Sequence, residues 1–134
     1  MNPLFVETSA LLNVLFREAG YESTLEKLQN ADRIIASRLI RIEAERAVLR
    51  TALAHPEIKE KIKLEFEPIL KSFWSKFDFL EITKEICVDA GVIAPESNLR
   101  SLDAIHLASF LWIKSRDPKI ELLSFDQKIL SSLK

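Results

Sequence analysis

Short apolar runs alternate along this chain with longer stretches of helical periodicity, and that alternation restricts the fold more than any other feature. Leu4-Phe-Val comes first, followed by Ala10 to Phe16, whose apolar residues recur on one helical face. Arg33-Ile-Ile-Ala, Phe79-Leu-Glu-Ile and Glu121-Leu-Leu-Ser-Phe are the later runs. Runs of this length suit buried strands, and the periodic stretches between them suit amphipathic helices. Strands separated by helices are expected to be parallel and joined by right-handed crossovers, which predicts an α/β chain with a three-layer α/β/α architecture. A single domain over residues 1–134 accommodates it, with no repeat, low-complexity tract or linker.

The boundaries carry their own signals. Thr8 or Ser9 is placed to cap the first helix, and Tyr21 to Leu28 reads as a second. Ser37 is placed to cap a third through roughly Leu53, with Leu39, Ile42, Ala47 and Leu49 turned mostly inward, and His55-Pro56 ends it. From Glu57 to Phe77 the residues Ile58, Ile62, Phe66, Ile69, Leu70, Phe73 and Phe77 mark a long amphipathic helix that Pro68 must kink or split. Thr83 caps a helix through Val92, Pro95-Glu-Ser-Asn is a loop, and Ser101 opens the helix carrying Asp103, His106 and Trp112. A last helix follows Asp126.

Composition narrows the function classes. No apolar stretch approaches the roughly 18 residues needed to span a bilayer, and Met-Asn-Pro-Leu-Phe-Val-Glu has neither a basic nor a cleavable apolar start, so a cytosolic protein is expected. Cys87 is the only cysteine. That excludes an internal disulfide, and its neighbours Ile86 and Val88 predict a small buried side chain rather than a nucleophile. A formal net charge of −1 argues against coating duplex DNA through its phosphates. RNA cleavage stays open, because bound divalent cations would reverse the local charge.

Four acids stand where such a fold concentrates chemistry. In a parallel sheet the functional crevice lies beyond the carboxyl ends of the strands, and Glu7 and Asp126 directly follow strands. Glu43 lies about one and a half turns into the helix after the second strand, and Asp103 lies in the first turn of its own helix. Each pair of carboxylates near 4 Å repels by about 4 kcal/mol at an effective dielectric of 20, so something cationic must hold such a cluster together. Oxygen-only ligands favour Mg²⁺ or Mn²⁺, and no Cys/His set has zinc spacing. Taken singly, each acid has a plainer role: Asp103 and Asp126 can complement helix amino ends, and Glu43 can belong to a solvated cluster with Glu45 and Arg46.

The segments Phe-Val-Glu-Thr-Ser-Ala-Leu-Leu (5 to 12), Ser-Arg-Leu-Ile-Arg-Ile-Glu (37 to 43), Leu-Arg-Ser-Leu-Asp-Ala-Ile-His-Leu-Ala (99 to 108) and Leu-Leu-Ser-Phe-Asp (122 to 126) resemble, in order, the four signature blocks of PIN-domain proteins. The third is close to the wording of the VapC toxins of prokaryotic toxin-antitoxin pairs. The resemblance implies a metal-dependent endoribonuclease whose Mg²⁺ or Mn²⁺ site uses Glu7, Glu43, Asp103 and Asp126, with Ser9 and Ser124 as supporting polar residues. It also implies a sheet ordered 3-2-1-4, a homodimer, an RNA substrate and a cognate antitoxin. With Lys134 close after the helix that follows Asp126, the fifth strand of many relatives is expected to be missing. Position 7 departs from the family, which ordinarily has aspartate there. Glutamate adds a methylene, and a misplacement of about an ångström costs on the order of a hundredfold in rate. That departure defines the alternative, a PIN-fold module that binds RNA or antitoxin with weakened catalysis or none.

Other residues have competing readings. Arg38, Arg41, Arg46 and Arg100 flank the acidic segments and are candidates for RNA phosphate contact, or else solvate helix faces. His106, between Ile105 and Leu107, reads as structural, with substrate contact or orientation of a carboxylate as its other role. Trp74 and Trp112 read as core or dimer contacts rather than base-stacking platforms. A receiver-like phosphoacceptor domain fits poorly: it pairs its acids with a late strand-end lysine, where this chain has Ser-Phe-Asp.

Overall fold

The first strand, β1 (Leu4–Val6), is buried along its whole length, and its pleat sends alternate side chains into two separate cores. A computed structural model describes residues 2–133. On one side Leu4 and Val6 pack with Ala10, Leu11, Val14, Ile40, Val48 and Leu70. On the other, Phe5 and Ile35 meet Phe110 and Ile120, with the rings of Phe5 and Phe110 edge to face at 5.7 Å.

The remaining elements are α1 (Thr8–Leu15), α2 (Tyr21–Asn30), β2 (Ile34–Ser37), α3 (Leu39–Ala54), α4 (Lys59–Lys76), β3 (Phe77–Leu80), α5 (Lys84–Ala90), α6 (Ser101–Arg116), β4 (Glu121–Leu123) and α7 (Gln127–Ser131). All strand pairings are parallel, and the four strands run in the order β3-β2-β1-β4. This is the α/β/α domain that the alternation predicts, with the implied strand order. Among the described residues no fifth strand joins the sheet, and no helix is long and apolar enough to cross a membrane.

Several local expectations change. Ile42 is 57% exposed, and the buried face of α3 is Ile40, Ala44, Ala47, Val48 and Ala52. At 100° per residue, Ile42 stands some 200° round the helix from Ile40, so it cannot share that face. Cys87 is exposed for a similar reason: α5 turns Ile86 into the core, and the next residue points away. Of the two outcomes expected at Pro68, the split does not occur, since α4 passes through it as one element. The carbonyl that loses its partner belongs to exposed Leu64, where water can meet it. β3 begins two residues before the expected position, because pairing of Ile34 with Phe77 and Ile35 with Asp78 draws the end of the apolar stripe into the sheet.

Trp74 packs against Phe77 and Phe79 at 5.9 Å from each ring. The Arg116 guanidinium lies over Trp112. Thr83 caps α5 as expected, Oγ1 accepting from Ile86 N at 3.2 Å, whereas the residue before α3 is Arg38 and Ser37 ends β2, its Oγ accepting from Leu39 N at 3.2 Å. Thr83→Ala is expected to cost about 1 kcal/mol by removing that cap, measured by urea unfolding.

Candidate active site

Glu7 occupies the single residue between β1 and α1, at the carboxyl end of the strand, and it is 4% exposed. Its longer side chain folds back to cap α1: Oε2 accepts from Ser9 N–H at 3.1 Å, a role expected of Thr8 or Ser9. Oε1 accepts the hydroxyls of both Ser9 and Ser124, each at 2.5 Å. Those serines accept in turn, Ser9 Oγ from Phe125 N–H at 2.8 Å and Ser124 Oγ from Asp126 N–H at 3.0 Å. One buried carboxylate therefore ties the start of α1 to the turn after β4.

Thr8, freed from capping, donates its hydroxyl to Glu43 Oε1 at 2.5 Å. His106 Nε2 meets the same oxygen at 2.5 Å and lies 3.2 Å from Thr8 Oγ1. Burial works to raise the Glu43 carboxyl, but the His106 hydrogen bond and charge, the Thr8 hydroxyl and nearby Arg50 outweigh it. The carboxyl is held below its ordinary range.

Asp103 presents the opposite case. It lies in the first turn of α6, where a helix amino end favours an anion, yet its carboxyl is pushed above the ordinary range. Burial is the largest cause, followed by the charges of Asp126 and Glu7, then a smaller contribution from Glu43 against a lowering by His106. Asp126 caps α7, with Oδ1 accepting from Lys128 N at 2.9 Å and Ile129 N at 3.1 Å. The fold thus gathers four acids from separate parts of the chain into one electrostatic field centred on Asp103.

Oxygen-only donors of this kind suit a hard divalent cation. Among the described residues, however, no three acids, histidines or cysteines are arranged to ligate one ion as they stand. Both oxygens of Glu7 take donors from the chain, and one oxygen of Glu43 and one of Asp126 do likewise. Asp103, Glu43 Oε2 and Asp126 Oδ2 accept no hydrogen bond among the described residues. The free atoms are carboxylate oxygens, the donor type that Mg²⁺ or Mn²⁺ takes.

The arginines separate into two kinds. Arg38 is committed to Glu81 through two hydrogen bonds, 3.1 Å from Nε and 2.6 Å from Nη2, and its guanidinium lies over Phe79. Arg41 pairs with Glu45. Arg46 and Arg100 are exposed, with no ion pair among the described residues. Sequence reasoning assigns Thr8 only a capping role, favours structure over carboxylate orientation for His106, and overlooks Arg50. Arg50 has a periodic signal, since it stands two turns after Glu43 on α3, and His106 has one toward Asp103 but none toward Glu43.

Comparison with known proteins bears on what this arrangement does. A family model described as PIN domain matches residues 4–132. Ribonuclease VapC45 of Mycobacterium tuberculosis is 28% identical over 126 residues, which span 94% of this chain and 85% of that protein. Ribonuclease VapC35 of the same species is 28% identical over 128 residues, spanning 94% of this chain and 86% of the relative. Among solved structures, the crystal structure of VapBC2 from Rickettsia felis bound to a DNA fragment from their promoter superposes with a TM-score of 0.56 at 15% identity. The match covers 92% of this chain and 99% of that one, a likeness of fold.

Proposed function

The chain belongs to the PIN-domain family, and from that premise we propose that it is an endoribonuclease, the toxin of a toxin-antitoxin pair, hydrolysing RNA phosphodiesters with Mg²⁺ or Mn²⁺. The observation that carries this reading is the convergence on Asp103, whose carboxyl is raised first by burial and then by the charges of Asp126, Glu7 and, least of the three, Glu43. Like charges gathered at such cost are characteristic of a site built for a cation. Asp103, Asp126 and Glu43 would hold it through their free oxygens, while Glu7 adds charge and fixes the two serines. When bound, the ion supplies an activated water and positive charge against the reacting phosphate. Partners in this reading are the RNA substrate, a cognate antitoxin and a second copy of the chain.

Exposed arginines then orient the RNA. Arg46→Ala or Arg100→Ala is expected to lower the slope of log Kd against log salt for single-stranded RNA by about 0.7 for each phosphate the arginine neutralises. Arg38→Ala should change it less, because Glu81 already occupies that guanidinium. Fluorescence anisotropy across a salt series checks this.

A second reading is favoured by one observation: the carboxylate of Glu7 is fully engaged by Ser9 and Ser124, as befits a structural acid. The protein would then bind RNA or antitoxin with weakened catalysis. Incubation of the purified chain with mixed RNA and Mn²⁺, beside Glu7→Asp, separates the two. Cleavage by the parent chain that EDTA stops supports the nuclease; cleavage by Glu7→Asp alone supports the binding module.

A further inference from the structure

His106 is 2% exposed on α6, one turn after Asp103, where an apolar side chain would satisfy packing alone. Its Nδ1 is buried with no hydrogen-bond partner among the described residues, which makes histidine a costly core filler. The ring's polar contacts all lie at the other nitrogen, where Nε2 meets Glu43 Oε1 and Thr8 Oγ1. A carboxylate can only accept, so Nε2 carries the hydrogen. Thr8 donates to the same oxygen, and α1, α3 and α6 are thereby joined at one atom. Glu43 keeps 24% of its side chain exposed, and its Oε2 takes no hydrogen bond among the described residues.

We infer that His106, with Thr8, is a positioning residue that locks the Glu43 side chain into one rotamer, with Oε1 held by the fold and Oε2 left free for a divalent cation. A glutamate on an exposed helix face samples several staggered rotamers, and two donors arriving from other helices select one. Removing a partner that orients a metal ligand typically costs about 10- to 100-fold in affinity for the ion. The inference rests on the proposed nuclease reading.

The test begins with calorimetric titration of Mn²⁺ alone into the wild-type chain and His106→Ala, His106→Gln, Thr8→Val and Asp103→Asn, each checked for folding by circular dichroism. His106→Ala is expected to weaken Mn²⁺ binding about 10- to 100-fold and to lower kcat with little change in KM. His106→Gln, whose amide N–H can reach the place of Nε2, should recover part of both. A folded His106→Ala that binds Mn²⁺ like the parent, or a glutamine variant no better than alanine, overturns the assignment. If His106→Ala does not fold, Thr8→Val carries the same expectation to a smaller degree, and unchanged Mn²⁺ affinity counts against the lock. Should the parent chain take up no Mn²⁺ at all, the nuclease reading is what fails. The lock is then decided in the metal-free protein by the His106 Nε2–H proton resonance, visible in the parent and absent from Glu43→Ala; its persistence refutes the contact.

Discussion

Replacing Asp103 with asparagine is expected to lower RNA cleavage by about a hundred- to a thousandfold while raising the melting temperature of the metal-free protein. The two effects share one origin. Asp103 is the acid on which burial and the charges of Asp126, Glu7 and Glu43 act together, and asparagine removes the charge while keeping the shape. Because its carboxyl is raised in the fold, the stability it contributes is complete below the ordinary carboxylate range and is lost as pH rises through the raised value. Above that value ionised Asp103 therefore opposes folding. Glu43 behaves in the reverse sense: its contribution is present above the ordinary range and is lost as pH falls through its lowered value. The gain from Asp103→Asn should accordingly grow between acidic and neutral pH, to a few degrees at most, since water screens a partly exposed carboxylate. Saturating Mn²⁺ should reverse the order by stabilising the parent chain alone. A metal-free Asp103→Asn that melts below the parent at neutral pH would contradict this account.

Glu7→Ala should do the opposite to stability. It strips an acceptor from one backbone N–H and two hydroxyls at a site with almost no access to water. Removing a cap costs about 1 kcal/mol and stranding a buried donor roughly 1–3, partly offset by relief of repulsion toward Asp103. The expected loss is about 2–3 kcal/mol, or roughly 10 °C in melting temperature for a chain of this size. Thermal unfolding of metal-free Glu7→Ala beside Asp103→Asn therefore distinguishes two acids of one pocket by sign. A Glu7→Ala melting curve superimposed on the parent's would show that the serine contacts hold nothing together.

The layered α/β/α plan was legible because alternation of strand and helix periodicity is a local property, as was the cap at Thr83. Strand order came with the family resemblance. What escaped was helical phase and tertiary pairing. Ile42 and Cys87 look apolar enough to bury, and only the rotation set by Ile40 and Ile86 turns them out. At the site, the four acids could be named from their places relative to strand ends and helix starts. No local pattern says that Glu7 caps α1, that Thr8 consequently turns to Glu43, or that His106 supplies the second donor. The contacts of Thr8 and His106 with Glu43, and of Ser124 with Glu7, join residues 35 to 117 positions apart, and the carboxylate oxygens they consume decide which acids stay free for a cation.

The chain of hydrogen bonds from Glu7 through Ser9 and Ser124 to the Phe125 and Asp126 amides also makes the pocket part of a larger cooperative unit. The amide of Phe125 belongs to a residue half open to solvent, yet it is held by Ser9, which follows the neighbouring strand β1. Loosening the turn after β4 therefore breaks the same bonds that anchor the amino end of α1, so Glu7 and Asp126 separate only when that whole segment opens. Their mutual repulsion is borne by the opening free energy of the joined segment, and the geometry of the centre lasts as long as that segment stays closed.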